Sequence, residues 1–170
     1  RFACAESPMV LREYESFKRV QEKGIGVPML GSDMALHLDT PPRVVRFVED
    51  RWCAVVLRDP VRTRSGRSMK ISREEFVIGL ADSLDRIAES TGLKLVFLPF
   101  GLVEDDDRAF QREVRERMRS GEEVSLVECE YSVEELLSIV GEASLVVAMR
   151  LHGGIFAMNR TVPVVGLSYD

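Results

Sequence analysis

Residues 144–168 read SLVVAMRLHGGIFAMNRTVPVVGLS. SLVVAM is a short, continuous apolar run, as expected of a strand buried on both faces, and VPVVGLS is a second one. GGIFAMNR between them opens a helix. Strand, helix and strand in so short a stretch read as one crossover of a parallel sheet. Arg150 and His152 then stand where the first strand leaves the sheet, with Gly153 and Gly154 at the start of the helix. In open parallel sheets ligands gather at this carboxyl edge. The first N–H groups of a helix point unpaired into the same space, and beside an arginine fork they suit an anion. The same residue types also have plainer uses. An arginine pairs with a neighbouring carboxylate, a histidine caps a helix, and glycines permit tight packing.

Upstream, CAVVLR (53–58), LKLVFLP (93–99) and VSLVEC (124–129) repeat the buried-strand pattern, and helices alternate with them. One helix opens with Ser72 and Glu75 at capping-box spacing and closes at Gly92; Ser132 and Glu135 repeat the device. Another runs through DDDRAFQREVRERMRSG (105–121), with Asp105–Asp107 at the positive end of the helix dipole and Arg115–Arg119 at the negative end. Five strands with four helical connections predict a parallel α/β sheet over residues 53–170, with helices on both faces. The first forty residues carry a helix over 13–23, closed by Gly24, and a short apolar piece, VPML (27–30). Pro41-Pro42 interrupts any element, which places a boundary near residues 40–50.

At 170 residues, 45% hydrophobic and 30% charged, the chain suffices for one well-cored domain and part of a second. A net charge of −5 argues against a nucleic-acid footprint, and no apolar run is long enough to span a membrane. Cys4, Cys53 and Cys129 lie far apart, without CxxC or histidine at metal-ligand spacing, so neither a disulfide framework nor a zinc site is expected. The chain begins at Arg1 rather than Met and reads as an excised piece of a longer protein.

The segment SLVVAMRLHGGIFAMNRTVPVVGLSYD (144–170) strongly resembles the C-terminal signature of the polysaccharide pyruvyl transferase family: Arg-Leu-His, a helix, a Val-Pro strand and a Tyr-Asp exit. LREYESFKRVQEKG (11–24) is similar to an upstream family segment with an Arg, an acidic residue and a Ser, and MLGSDMAL (29–36) to its strand and Asp turn. The resemblance implies a Rossmann-like sheet like the C-terminal half of a GT-B glycosyltransferase. Residues 46–170 would be the donor-binding domain, and 1–45 a remnant of the N-terminal half or an inter-domain segment. It implies transfer of pyruvate from phosphoenolpyruvate to two hydroxyls of a sugar in a cell-surface polysaccharide precursor. The products would be a cyclic ketal and phosphate, formed in the cytoplasm on a free or lipid-linked saccharide with no cofactor beyond the co-substrate.

Within that resemblance Arg12, Arg150 and His152 belong to the phosphoenolpyruvate end, with Gly153 and Gly154 offering backbone donors. Two arginine forks suit a phosphate and a carboxylate. His152 either moves protons or bonds the phosphate. The family continues past Tyr-Asp into a Pro-Lys pair, whereas this chain ends at Asp170. These 170 residues, without the N-terminal half and that lysine, are therefore expected to bind phosphoenolpyruvate weakly and to turn nothing over.

Arg58 ends CAVVLR and points from a strand exit toward the same edge. The basic loop behind it, with Arg62, Arg64, Arg67 and Lys70, reads as solvated surface more readily than as a closing element. Asp33 reads as an Asx turn, His37 as a structural histidine, and Glu104–Asp107 as helix-dipole charges rather than metal ligands. The competing functional class is a GT-B half-domain that binds a nucleotide sugar, or a non-catalytic anion-binding module. No Gly-rich nucleotide loop supports it.

Overall fold

The structure is a computed structural model that describes residues 7–39, 48–60, 71–101 and 106–168. The chain divides into two compact units between Leu38 and Asp39.

In the first unit β1 (Pro8–Leu11), α1 (Tyr14–Glu22) and β2 (Val27–Leu30) form a two-stranded parallel sheet with its crossover helix. Gly24 (φ 59°) and Gly26 (φ 62°) supply the left-handed backbone that turns α1 into β2. The sequence reading has no counterpart for β1. Four residues beginning with proline carry no period of their own, and their strand geometry comes from pairing with β2.

The second unit holds β3 (Trp52–Val56), α2 (Arg73–Thr91), β4 (Lys94–Phe97), α3 (Asp107–Arg117), β5 (Ser125–Leu126), α4 (Val133–Val140), β6 (Leu145–Ala148), α5 (Leu151–Asn159) and β7 (Val164–Gly166). Its five strands are all parallel, in the order β5-β4-β3-β6-β7. This is the parallel α/β sheet that the alternating pattern predicts, Rossmann-like as the resemblance implies. Every residue of β3 is buried, which is why its sequence is a continuous apolar run rather than an alternating one. Cys53, Val55, Leu95, Phe97 and Val147 join one core with Val77, Leu80 and Leu84 of α2 and Phe110 and Val114 of α3. Val56 and Ala148, of opposite parity, meet α5. At about 1.5–3 kcal/mol for each large side chain buried, this two-faced core outweighs any local device.

The local devices fix where helices start. Ser72 Oγ accepts from Glu75 N (3.1 Å) while the Glu75 carboxylate accepts from Ser72 N (2.9 Å). Ser132 and Glu135 make the same reciprocal pair at 3.2 and 2.7 Å. Each cap contributes about 1 kcal/mol, enough to set a boundary but not a fold. Gly92 closes α2 in the left-handed region (φ 65°).

The strand order reverses once. From β3 the chain builds outward through β4 and β5, then returns to the other side of β3 for β6 and β7. α2, which follows β3, and α5, which follows β6, therefore lie against opposite faces of the sheet, the switch-point arrangement that leaves a crevice at the carboxyl edge of parallel sheets. α5 reaches this point because Gly153 has no side chain: a Cβ there would stand 3.2 Å from the Cβ atoms of Ala148 and Val56. A Cβ on Gly154 would meet nothing within 4 Å. Gly153→Val should therefore push α5 off the sheet at a cost of about 1–3 kcal/mol, read as a lowered Tm. Gly154→Ala should instead stabilise by about 0.5–1 kcal/mol, the helix-interior gain over glycine. Equal effects at the two positions would contradict the close helix-to-sheet approach.

Candidate active site

Register brings the two candidate arginines of the second unit to the same rank. Val56 of β3 pairs with Ala148 of β6, and Met149 N still donates to Val56 O (2.8 Å) one residue further on. Arg58 and Arg150 each follow two residues after that pair, on the strands that flank the crevice. Both are half-buried.

α5 starts at Leu151, two residues before the expected glycine, with Arg150 as its N-cap. This corrects one expectation. Gly153 N and Gly154 N do not point unpaired into the crevice, because both donate to Arg150 O, at 3.0 and 3.4 Å. The donors that the helix itself leaves over are those of Leu151 and His152. Gly153 has a packing role, as one of the plainer readings of the motif holds.

Arg150 also takes its plainer role. Its Nη2 donates to Asp107 Oδ1 at 2.6 Å and its Nε lies 3.2 Å from both carboxylate oxygens. Asp107 is 2% exposed, and its Oδ2 accepts in addition from Phe100 N (3.1 Å) and Gly101 N (2.8 Å). One carboxylate thus joins the turn leaving β4, the first residue of α3 and the N-cap of α5. A guanidinium held in this way keeps its charge at the strand exit in a fixed plane.

The acidic run divides its work between neighbours. Asp106 is the N-cap of α3, accepting from Arg108 N at 3.0 Å, and the Arg108 guanidinium beside it holds its carboxyl below the usual range. Asp107, one residue on, turns inward. Among the described residues no cluster of His, Cys, Asp or Glu could hold a metal ion.

Two further contacts brace the edge. Gln111, one helical turn after Asp107 and 1% exposed, donates from Nε2 to Leu98 O (3.0 Å) and Leu57 O (3.5 Å). Those carbonyls lie just past β4 and β3, where the ladder no longer supplies them with donors. Arg73 at the start of α2 makes a bidentate pair with Glu113 of α3 (2.6 Å at each nitrogen) and a further bond to Asp59 (3.0 Å), with its guanidinium 5.6 Å from the Phe110 ring. Arg73 thereby holds the Glu113 carboxyl below its usual range.

His152 occupies the first turn of α5 and is exposed. Its ring meets Phe156, one turn on, edge-on at 6.5 Å, and Phe156 packs on Phe100 at 5.5 Å. The Phe156 ring thus flanks the imidazole on one side, while the residue as a whole stays open to solvent. Cys53 offers no nucleophile, since burial pushes its thiol up to about 12.

Arg12 belongs to the first unit, where it leaves β1 and pairs with Asp33, which leaves β2. Asp33 Oδ1 also accepts from Ala35 N (3.0 Å), the Asx turn that the sequence suggests. His37 has a local partner, its Nε2 lying 2.8 Å from Ser32 Oγ. Glu104, Asp105, Arg62, Arg64, Arg67, Lys70, Tyr169 and Asp170 lie outside the described residues.

A family model described as polysaccharide pyruvyl transferase matches residues 3–170, through both units. The chain belongs to the polysaccharide pyruvyl transferase family. No match is found among curated proteins. Membership makes this chain a transferase with a saccharide acceptor, and its Arg-Leu-His element is the segment that the fold carries to the switch point. Among the described residues no helix is long and apolar enough to cross a membrane.

Two residues of the pyruvyl transferase edge escape the motif reading: Asp107 as the partner of Arg150, and Gln111. The available signal was spacing. Asp107, Gln111 and Val114 follow one another at helical period on the inward stripe beside Phe110, where a polar residue needs a reason. Gln111→Leu should cost about 1–3 kcal/mol by leaving the carbonyls of Leu57 and Leu98 without a donor, measured by chemical denaturation. A loss below a few tenths would show that the amide does not brace the strand exits.

Proposed function

We propose that the carboxyl edge of the second unit binds phosphoenolpyruvate and that the protein transfers its pyruvyl group to two hydroxyls of one sugar, as a cyclic ketal. The observation that carries this reading is the placement of Arg58 and Arg150 at equal rank on the two strands flanking the switch point, with His152 two residues beyond Arg150. A donor with a phosphate and a carboxylate suits two guanidinium groups. The leftover N–H groups of Leu151 and His152 add the helix-terminus contribution. Arg12 stands at the carboxyl edge of the first unit, and its assignment to phosphoenolpyruvate is what its matching family segment implies.

The chemistry fits the residue types. Carbon 3 of the enol gains a proton as the first sugar hydroxyl, losing its own, bonds to carbon 2. The bond from carbon 2 to the phosphate oxygen then breaks, the phosphate leaves, and the second hydroxyl closes the ketal while giving up its proton. Two protons leave the sugar, one ending on carbon 3 and one with the phosphate. His152 serves the proton transfers, being the one side chain at this edge whose type changes charge near neutral pH. The reaction runs in the cytoplasm, where phosphoenolpyruvate is available, on a free or lipid-linked saccharide.

Acceptor-dependent phosphate release, assayed in the protein at its natural length, separates the roles. Arg150→Lys should raise the KM for phosphoenolpyruvate, because an ammonium cannot reproduce the planar fork. His152→Gln should lower kcat by about a hundredfold or more with a smaller change in KM. Near-normal turnover in His152→Gln would remove the proton-transfer role. Saturation by a nucleotide sugar instead of phosphoenolpyruvate would replace the donor altogether.

A further inference from the structure

We propose that Asp107 is a positioning residue of the donor site, acting through Arg150: its carboxylate holds the guanidinium in the orientation that receives the anionic donor. The proposal rests on the phosphoenolpyruvate reading of that site and adds to it a residue outside the Arg-Leu-His segment, on a different element.

Two simpler roles for Asp107 fail on geometry. An aspartate present only for the dipole of α3 would lie exposed at the helix start, and Asp106 already fills the N-cap. Asp107 is instead 2% exposed and directed across to the next crossover. An aspartate present only to steady the turn leaving β4 would need no more than its bonds from Phe100 N and Gly101 N, both to Oδ2, and these do not account for the Oδ1 bond from Arg150 Nη2. The pair makes sense where the arginine must stay aimed.

Asp107 does this through two kinds of contact. The Nε and Nη2 of Arg150 both face it, at 3.2 and 2.6 Å, which fixes the plane of the guanidinium as a single contact would not. Phe100 N and Gly101 N fix the carboxylate in turn, so the aim of Arg150 is set by the turn that leaves β4. A fork oriented before the ligand arrives loses less freedom on binding. The carboxylate also carries a negative charge close to the place of an anion, which by itself opposes binding. The two effects have opposite signs: as a positioning group its loss weakens donor binding, and as a bystander charge its loss strengthens it.

A double-mutant cycle on the active protein reads that sign. Asp107→Asn, Arg150→Gln and the double variant are compared with wild type for Tm, kcat and KM for phosphoenolpyruvate, at a temperature well below the lowest Tm. The expected result is an Asp107→Asn KM raised by about tenfold or more with kcat changed less. In the Arg150→Gln background the same substitution should change kcat/KM by less than about twofold, since there is no longer a guanidinium to aim. Asp107→Glu keeps the charge and moves the carboxylate by one methylene; it should also raise KM, and it serves as the readout if Asp107→Asn does not fold. An unchanged or lowered KM in Asp107→Asn, a wild-type KM in Asp107→Glu, or an equal loss with and without Arg150 would overturn the proposal while leaving the donor reading intact. Absence of both phosphoenolpyruvate binding and consumption in the wild-type protein at its natural length would overturn both.

Discussion

The pairing of β3 with β6, from Cys53 with Leu145 to Val56 with Ala148, is the contact on which the site depends. These two strands are distant in sequence and adjacent at the centre of the sheet. Their register puts Arg58 beside Arg150 at the point where the strand order turns back. A slip of one residue would send the side chains of one strand to the opposite face and separate the arginines in rank. The register is protected by burial. β3 is covered on both faces, so a shift would cost several buried side chains at about 1.5–3 kcal/mol each, far more than a surface contact could restore.

Burial secures the middle of the strands but not their ends, where ladder bonding stops and the chain must turn. At those ends the fold relies on a small set of polar side chains drawn mainly from α3. Gln111 supplies donors to the carbonyls beyond β3 and β4, and Asp107 takes the N–H groups of the β4 turn together with the Arg150 guanidinium. Each is buried and each is satisfied, which is the condition under which buried polar groups do not cost stability. Such an edge can carry positive charge in a fixed place without a large local penalty. The proposed donor site needs this of the edge that would meet an anion.

Much of this was legible in the sequence because it follows from local rules. The five apolar runs became the five strands, and Ser72 with Glu75 and Ser132 with Glu135 became capping boxes, since reciprocal hydrogen bonds at fixed spacing need no tertiary information. Arg150 was legible as a strand-exit residue for the same reason. What escaped was set by partners far along the chain. Nothing near Arg150 in sequence announces Asp107, forty-three residues away, and the acidic run that contains it has a sufficient local explanation in the helix dipole. The start of α5 was displaced by two residues because the glycines look like a turn. In the folded chain Gly153 is a contact surface for Val56 and Ala148, while Arg150 O accepts the first helical bonds. β1 was missed for a related reason, its strand geometry being conferred by β2.

As proposed, the anion-binding edge is built before the donor arrives, with Arg150 held in place by Asp107. The most direct measurement is a crystal structure of the protein with phosphoenolpyruvate bound. The account predicts donor oxygens at about 2.7–2.9 Å from the Arg150 guanidinium, at the exit of β6, with the Asp107 pair still closed. Phosphoenolpyruvate bound with no atom near Arg150, or an Arg150 that reaches it only after leaving Asp107, would contradict it.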